Sequence, residues 1–311
     1  VTTPPTRILI GHKRMHGLDD RLRAARPDLD IRAKDLDLIG DDDLAWAECF
    51  VGFRRPKPPS WGNVRWIHSV GAGVDAYVFP PIPSEILLTR SSEDFGPDIA
   101  EWCVGHALTI TQARRAMDRA QRERTWTVDH PERLAGQRVL VVGLGQVGGA
   151  IARAFAGLRC EVTGVSRSGE PVPGVPRVRP IDALDDELPH AQWVVLATPL
   201  TPATRGLLGR DRLARCKGAV LLNVGRGALV EEAAIPAALD AGQLRAAALD
   251  VFEREPLPPE SPLWDRDDVY ITPHIAGLTT IEGAALGFLE CLADLEAGRT
   301  PAWVVDVSVG Y

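Results

Sequence analysis

The chain has 311 residues, a length that suggests two domains, and its 45% hydrophobic and 25% charged residues give the balance of an ordinary globular protein. A net charge of −7 disfavours a nucleic-acid partner. No apolar run approaches the ~18 residues of a membrane span, and the opening VTTPPTRILIG lacks the charged and apolar regions of a secretory signal.

In chain order, RILIG (7–11) reads as a first buried strand, and Leu18 to Ala25 as a short helix. The acidic run Asp41-Asp42-Asp43 reads as a solvated turn, with no metal site expected there. AECFVGF (47–53), VRWIHSV (64–70) and EILLTRS (85–91) continue the strand series, with a break from Pro56 to Pro59. Apolar runs alternating with helix-compatible stretches predict an α/β domain with a parallel sheet. Arg54 and Arg55 follow a strand end, where one of them could reach an active site.

Gly96-Pro97-Asp98 marks a helix start, with Pro97 suited to the first turn and Asp98 to the positive end of the helix dipole. Ile99, Trp102, Cys103, His106, Ala107 and Ile110 then repeat at helical spacing. A second α/β series follows, with strands predicted at RVLVVG (138–143), CEVTGV (160–165), AQWVVLAT (191–198), GAVLLNV (218–224), AAALDV (246–251) and DVYITP (268–273). Beyond Thr279 a helix is expected to about Gly298. The tail AWVVDVSVGY then looks strand-like and could return to the first domain. Cys49, Cys103, Cys160, Cys216 and Cys291 are odd in number and lack CxxC spacing. They fit buried thiols in a reducing cytoplasm better than a disulfide frame or a zinc site. His68 and His106 read as packing residues.

VLVVGLGQVGGAIARAF (139–155) places Gly143, Gly145 and Gly148 in GxGxxG spacing between a strand and a helix expected to run through Arg159. The first glycine permits a tight turn, the second lets a pyrophosphate approach the backbone, and the third allows close helix–strand packing. Gln146 and Val147 belong to the same loop. A dinucleotide site usually places an acid for the adenosine ribose at the end of the next strand. Here that position holds Ser166-Arg167-Ser168. Ser166 removes the repulsion of a 2′-phosphate, and Arg167 could pair with it through charge-assisted hydrogen bonds. The reading therefore favours NADP, with NAD open if Arg167 is an ordinary loop arginine.

Three later strand ends carry isolated polar residues: Arg226 between Gly225 and Gly227, Glu255 before Pro256 with Asp250 upstream, and His274 after Pro273. In a doubly wound sheet ligands bind beyond the carboxyl ends of the strands, so these residues could converge on one cofactor. SVGAGVD (69–75), GLGQVGGAIA (143–152), ATPLTPATRGLL (197–208), NVGRGALV (223–230), DVFEREPLP (250–258) and PHIAG (273–277) occur in register. With them the chain resembles the D-isomer-specific 2-hydroxyacid dehydrogenase family, glyoxylate/hydroxypyruvate reductases in particular, over nearly its whole length.

The resemblance implies two doubly wound parallel-sheet domains, a Rossmann coenzyme domain at 99–281 and a smaller flavodoxin-like substrate domain at 1–98 plus 282–311. It implies that Arg226 binds the carboxylate and carbonyl of a 2-oxoacid. His274 would exchange a proton with the substrate oxygen, and Glu255 would hold His274 in its useful tautomer and favour its protonated form. Amides around Ala72 and Gly73 would grip the carboxylate. Thr198, Pro199 and Val224 would line the cofactor site, and Asp250 would contact the nicotinamide carboxamide. The implied protein is a cytoplasmic homodimer reducing glyoxylate or hydroxypyruvate with NADPH. A phosphite-type dehydrogenase and a non-enzymatic dinucleotide sensor remain as alternatives.

Overall fold

Ten of the eleven apolar runs read as strands form regular strands in the computed structural model, which describes residues 3–12, 15–58, 60–91, 94–126 and 131–307. The chain divides into two units, Val1–Glu93 with Thr279–Tyr311, and Asp94–Leu278. In the first, β1 (Arg7–His12), β2 (Asp30–Asp35), β3 (Cys49–Gly52), β4 (Trp66–Ser69) and β5 (Leu87–Arg90) form a parallel sheet of order β2-β1-β3-β4-β5. This is the flavodoxin-like order. Side chains alternate between faces with period two. Ile8, Ile10, Cys49, Val51 and Trp66 pack towards helices Leu18–Ala25 and Ile281–Glu296. Leu9, Phe50, Ile67 and Leu88 share the opposite core with Trp61 and Tyr77. Both faces are covered, so β1 and β3 read as apolar runs, while β4 buries His68 and Ser69 as well.

The second unit holds β6 (Arg138–Val142), β7 (Glu161–Ser166), β8 (Arg177–Pro180), β9 (Trp193–Leu196), β10 (Ala219–Asn223), β11 (Leu244–Leu249) and β12 (Val269–Ile271). Their order is β12-β11-β10-β9-β6-β7-β8, all parallel. This is the Rossmann order extended by one strand. The chain winds outward from β6 to β8 and then returns to β9, so the strand order reverses between β6 and β9, where such sheets bind ligands.

Several local expectations need correction. β2 and β8 went unforeseen because edge strands tolerate charge; in β2 only Ile31 is buried. The Asp41–Asp43 run is not a turn but the first turn of helix Asp41–Trp46, where Asp43 accepts a hydrogen bond from the Gly40 N–H at 2.9 Å and pairs with Lys34. Carboxylates suit that end of a helix. Helix Arg114–Glu123 buries only Ala120, too little apolar signal to read in advance. The glycine-loop helix ends at Gly157, with Arg159 beyond it at φ +63°.

The units part after Glu93 and Leu278, a few residues from the expected boundaries. Helix Gly96–Thr111 packs as a whole on helix Gln146–Gly157. Thr280, which caps helix Ile281–Glu296 through the Gly283 N–H, stays with that helix. The tail forms a single antiparallel bridge from Val304 to Thr89 instead of a full strand. It covers the open edge of β5, which would otherwise expose unpaired backbone groups. Ser308–Tyr311, the end of that expected strand, lie outside the described residues.

Candidate active site

β6 delivers the chain from a buried run into Gly143, whose φ of +94° suits glycine alone and whose missing Cβ would lie 2.7 Å from Thr198 Cγ2. Gly148 is held equally tightly, since a Cβ there would meet the Gly143 carbonyl oxygen at 1.8 Å. Gly145 differs. It caps helix Gln146–Gly157, and a Cβ on it would have nothing within 4 Å. Neither torsion nor packing in this chain requires glycine at 145, but an approaching ligand would. The N–H groups of the first turn, at Gln146 and Val147, give that end of the helix the partial positive charge that phosphates favour. Beside the loop, Thr198 Oγ1 is buried without a hydrogen-bond partner among the described residues. The open face over Gly145 and this unpartnered hydroxyl fit a dinucleotide.

Ser166 ends β7, and its Oγ accepts the Gly169 N–H at 3.0 Å. Ser168 Oγ accepts the Glu170 N–H at 3.3 Å, and Arg167 between them is exposed. The two hydroxyls brace the turn while each keeps its own O–H to donate. Val224 is buried, its N–H donating to the Leu196 carbonyl at 3.2 Å. Pro199 is exposed, its carbonyl accepting the Thr204 hydroxyl at 2.7 Å.

Asn223, buried at the end of β10, shapes the Arg226 loop. Its Nδ2 donates to the Arg226 carbonyl at 3.0 Å, and its Oδ1 accepts the Gly225 N–H at 3.2 Å. Gly227 lets this loop lie directly on the Phe252–Glu253 backbone; a Cβ there would sit 1.9 Å from the Phe252 carbonyl carbon. Arg226 thereby comes close enough for its charge to act on Glu255. Glu255 accepts the Phe252 N–H on Oε1 at 3.2 Å, while its Oε2 lies 2.9 Å from His274 Nδ1. Burial pushes the Glu255 carboxyl up. The hydrogen bond and charge of His274, the Phe252 N–H and the charge of Arg226 more than offset this and hold it below its ordinary 4.5.

The His274 side chain is 44% exposed and that of Glu255 25%, so the pair is open to a reactant. His274 has φ +56°, left-handed backbone uncommon for a residue with a Cβ. Its N–H donates to the carbonyls of Asp250 at 2.8 Å and Thr272 at 3.1 Å. Asp250, 2% exposed, accepts from Thr272 and from two backbone amides beyond His274.

The structure thus brings Arg226, Glu255, His274 and Asp250 together at the carboxyl ends of β10, β11 and β12. Ala72 and Gly73 belong to the other unit, in the loop after β4, where Ser69 Oγ donates to the Gly71 and Gly73 carbonyls at 3.3 and 3.2 Å. Arg55 is committed elsewhere, its guanidinium donating to the carbonyls of Ala76, Tyr77 and Pro80. Arg54 is exposed, its carbonyl accepting the Tyr77 hydroxyl at 3.2 Å. His68 packs against Trp66 and Phe288, and His106 against Trp102. All five cysteines are buried and free. Sequence reasoning missed Asn223 and Thr272, whose side chains hydrogen-bond the Arg226 loop and Asp250. The signal for Asn223 was there: an amide ending the apolar run LLN must be hydrogen-bonded once buried.

Among the described residues no helix is long and apolar enough to cross a membrane. Residues 104–276 match the family model described as D-isomer specific 2-hydroxyacid dehydrogenase, NAD binding domain. The chain is 33% identical over 259 residues to glyoxylate/hydroxypyruvate reductase A of Serratia proteamaculans, covering 80% of this chain and 82% of that one. A D-isomer specific 2-hydroxyacid dehydrogenase from Xanthobacter autotrophicus, crystallised with NADPH and MES, superposes with a TM-score of 0.86 at 36% identity, over 99% of this chain and 100% of that one. An NADPH-dependent glyoxylate/hydroxypyruvate reductase from Sinorhizobium meliloti, crystallised with NADP and sulfate, gives a TM-score of 0.86 at 28% identity, over 98% and 100%. With this site on this fold, the chain belongs to the D-isomer-specific 2-hydroxyacid dehydrogenase family.

Proposed function

We propose that this protein reduces a small 2-oxoacid, glyoxylate or hydroxypyruvate, to the D-2-hydroxyacid with NADPH, NADH serving less well. The observation that carries the chemistry is the 2.9 Å contact between His274 Nδ1 and Glu255 Oε2. A carboxylate on Nδ1 fixes that nitrogen as the donor and leaves Nε2 to exchange a proton with substrate. The bound cofactor supplies the hydride. In reduction, His274 Nε2 gives its proton to the substrate oxygen, and the Glu255 carboxylate stabilises the imidazolium before transfer. In oxidation the proton returns to Nε2. Arg226 holds the substrate carboxylate through its planar fork, which also fixes which face of the carbonyl is presented.

For the cofactor we assign Gly143, Gly145, Gln146, Val147 and Gly148 to the pyrophosphate, and Ser166, Arg167 and Ser168 to the adenosine 2′-phosphate. Thr198, Pro199 and Val224 are assigned to the rest of the dinucleotide. Ala72 and Gly73 are proposed as further substrate-binding positions. The NADPH and NADP in the Xanthobacter and Sinorhizobium structures support this reading of the Ser-Arg-Ser turn. A cytoplasmic homodimer is the proposed working form.

The test is steady-state kinetics with glyoxylate, hydroxypyruvate and other 2-oxoacids, using NADPH and NADH in parallel, with phosphite and NADP as a further arm. Faster oxidation of NADPH than NADH by a 2-oxoacid is expected, and Ser166→Asp should move the preference towards NADH. Turnover of phosphite alone, or binding of NADPH without turnover of any 2-oxoacid, overturns the reductase reading.

A further inference from the structure

Residues Thr272–Ala276 wrap around one buried carboxylate. Asp250 Oδ1 accepts the Thr272 hydroxyl at 2.5 Å and the Ile275 N–H at 2.9 Å, and Oδ2 accepts the Ala276 N–H at 2.9 Å. The Asp250 carbonyl takes the His274 N–H at 2.8 Å. The neighbours of His274 are therefore tied to the side chain of Asp250 and His274 itself to its backbone. That pattern holds His274 at φ +56°. A left-handed residue with a Cβ persists only where its surroundings over-determine it.

The direction of one hydrogen bond is fixed from outside the loop. Trp102, on helix Gly96–Thr111, points its indole Nε1 at Thr272 Oγ1 at 3.1 Å. An indole N–H can only donate, so the Thr272 hydroxyl must accept from it and give its own hydrogen to Asp250. The chain from Trp102 through Thr272 to Asp250 has one possible polarity, and all of it lies inside the unit that carries Glu255. Charge-assisted bonds of this kind are the stronger ones, and a buried network strengthens them further.

We propose that Asp250 and Thr272 are positioning residues for the reaction: they lock the backbone of His274 so that its ring meets Glu255, and Trp102 orients the Thr272 hydroxyl that does so. The inference rests on the reductase reading for its kinetic consequence. It gives Asp250 a different task from the carboxamide contact that the family resemblance implies. A cofactor contact acts on the affinity for NADPH. A positioning device acts on turnover, because displacing a catalytic group by about an ångström costs on the order of 10²-fold in rate.

The experiment compares Thr272→Val, Thr272→Ser and Asp250→Asn with the wild-type protein by two readouts. The first needs no turnover: the imidazole ¹H–¹⁵N spectrum of the cofactor-free protein, with the His274 Nδ1–H signal assigned by its loss in His274→Gln. That signal should shift and broaden in Thr272→Val and return in Thr272→Ser. The second is kinetic. With glyoxylate and NADPH, kcat should fall by roughly 10- to 100-fold in Thr272→Val at an unchanged KM for NADPH, and Thr272→Ser should recover most of it. Asp250→Asn should follow Thr272→Val in both readouts, and if it fails to fold the Thr272 pair decides alone. A raised KM for NADPH at unchanged kcat overturns the proposal, as does an unchanged His274 signal in Thr272→Val. If the wild-type protein turns over no 2-oxoacid, the reductase reading fails while the spectrum still decides whether the network positions His274.

Discussion

His68 makes a stability prediction that can be worked from the structure. It lies on β4, is fully buried, and stands beside Trp66 and Phe288. Its Nδ1 meets Thr89 Oγ1 at 2.9 Å, and its Nε2 has no hydrogen-bond partner among the described residues. Burial therefore pushes the imidazole down from its ordinary 6.5 to about 3. The unfolded chain takes up a proton below pH 6.5 that the folded protein refuses until near pH 3. Stability is thus unaffected by this group above pH 6.5 and falls as the pH drops below it. The loss follows the one-proton slope of about 1.4 kcal/mol per pH unit and reaches roughly 3 kcal/mol by pH 4.5. His68→Asn keeps a partner for Thr89 and does not titrate, so its packing defect costs the same at every pH.

Urea unfolding between pH 7.5 and 4.5, read by hydrogen exchange in the peptide carrying β4, should show the wild type losing roughly 3 kcal/mol more than the variant. Carboxylates common to both proteins cancel in the comparison. Parallel losses in the two proteins would refute the reasoning, because they would mean that the folded state accepts the proton on His68.

Two glycines in one loop should behave in opposite ways. Gly145→Ala faces open space and should leave the melting temperature unchanged while raising KM for NADPH, whereas Gly148→Ala drives a Cβ into the Gly143 carbonyl and should lower the melting temperature or prevent folding; calorimetry beside cofactor titration separates them. His274→Ala should reduce kcat by roughly 10²–10⁴-fold if it carries the proton, and turnover near the wild-type rate would remove it from the mechanism. Glu255→Gln should lower kcat/KM across the neutral range. Because Glu255 is held below its ordinary 4.5, the wild-type advantage should persist to below that pH and vanish as the pH falls through the folded value, as a pH–rate profile would reveal.

The sequence was most legible where burial is complete. β1, β3, β6, β9 and β10 are buried on both faces and mostly apolar, so hydrophobic runs announced them, and parallel sheets followed from their alternation with helices. The glycines at 143 and 148 were legible too, because backbone close approach admits few residue types, and so was the pairing of Glu255 with His274. β2, β8 and helix Arg114–Glu123 were not legible. They bury so few residues that their sequences carry little periodic signal, and neighbours already in place decide their conformation.

The sequence by itself thus determined two parallel α/β sheets and the dinucleotide loop, and it named the side chains proposed to react, since those depend on local pattern and residue chemistry. Only the tertiary structure decided how His274 is held. Trp102, Thr272 and Asp250 come from a helix, a strand end and another strand end, up to 170 positions apart. Hydrogen-bond polarity between them exists only once folding has brought the three together. The same holds for Arg55, which the sequence left as an active-site candidate and the fold spends on three backbone carbonyls of its own unit.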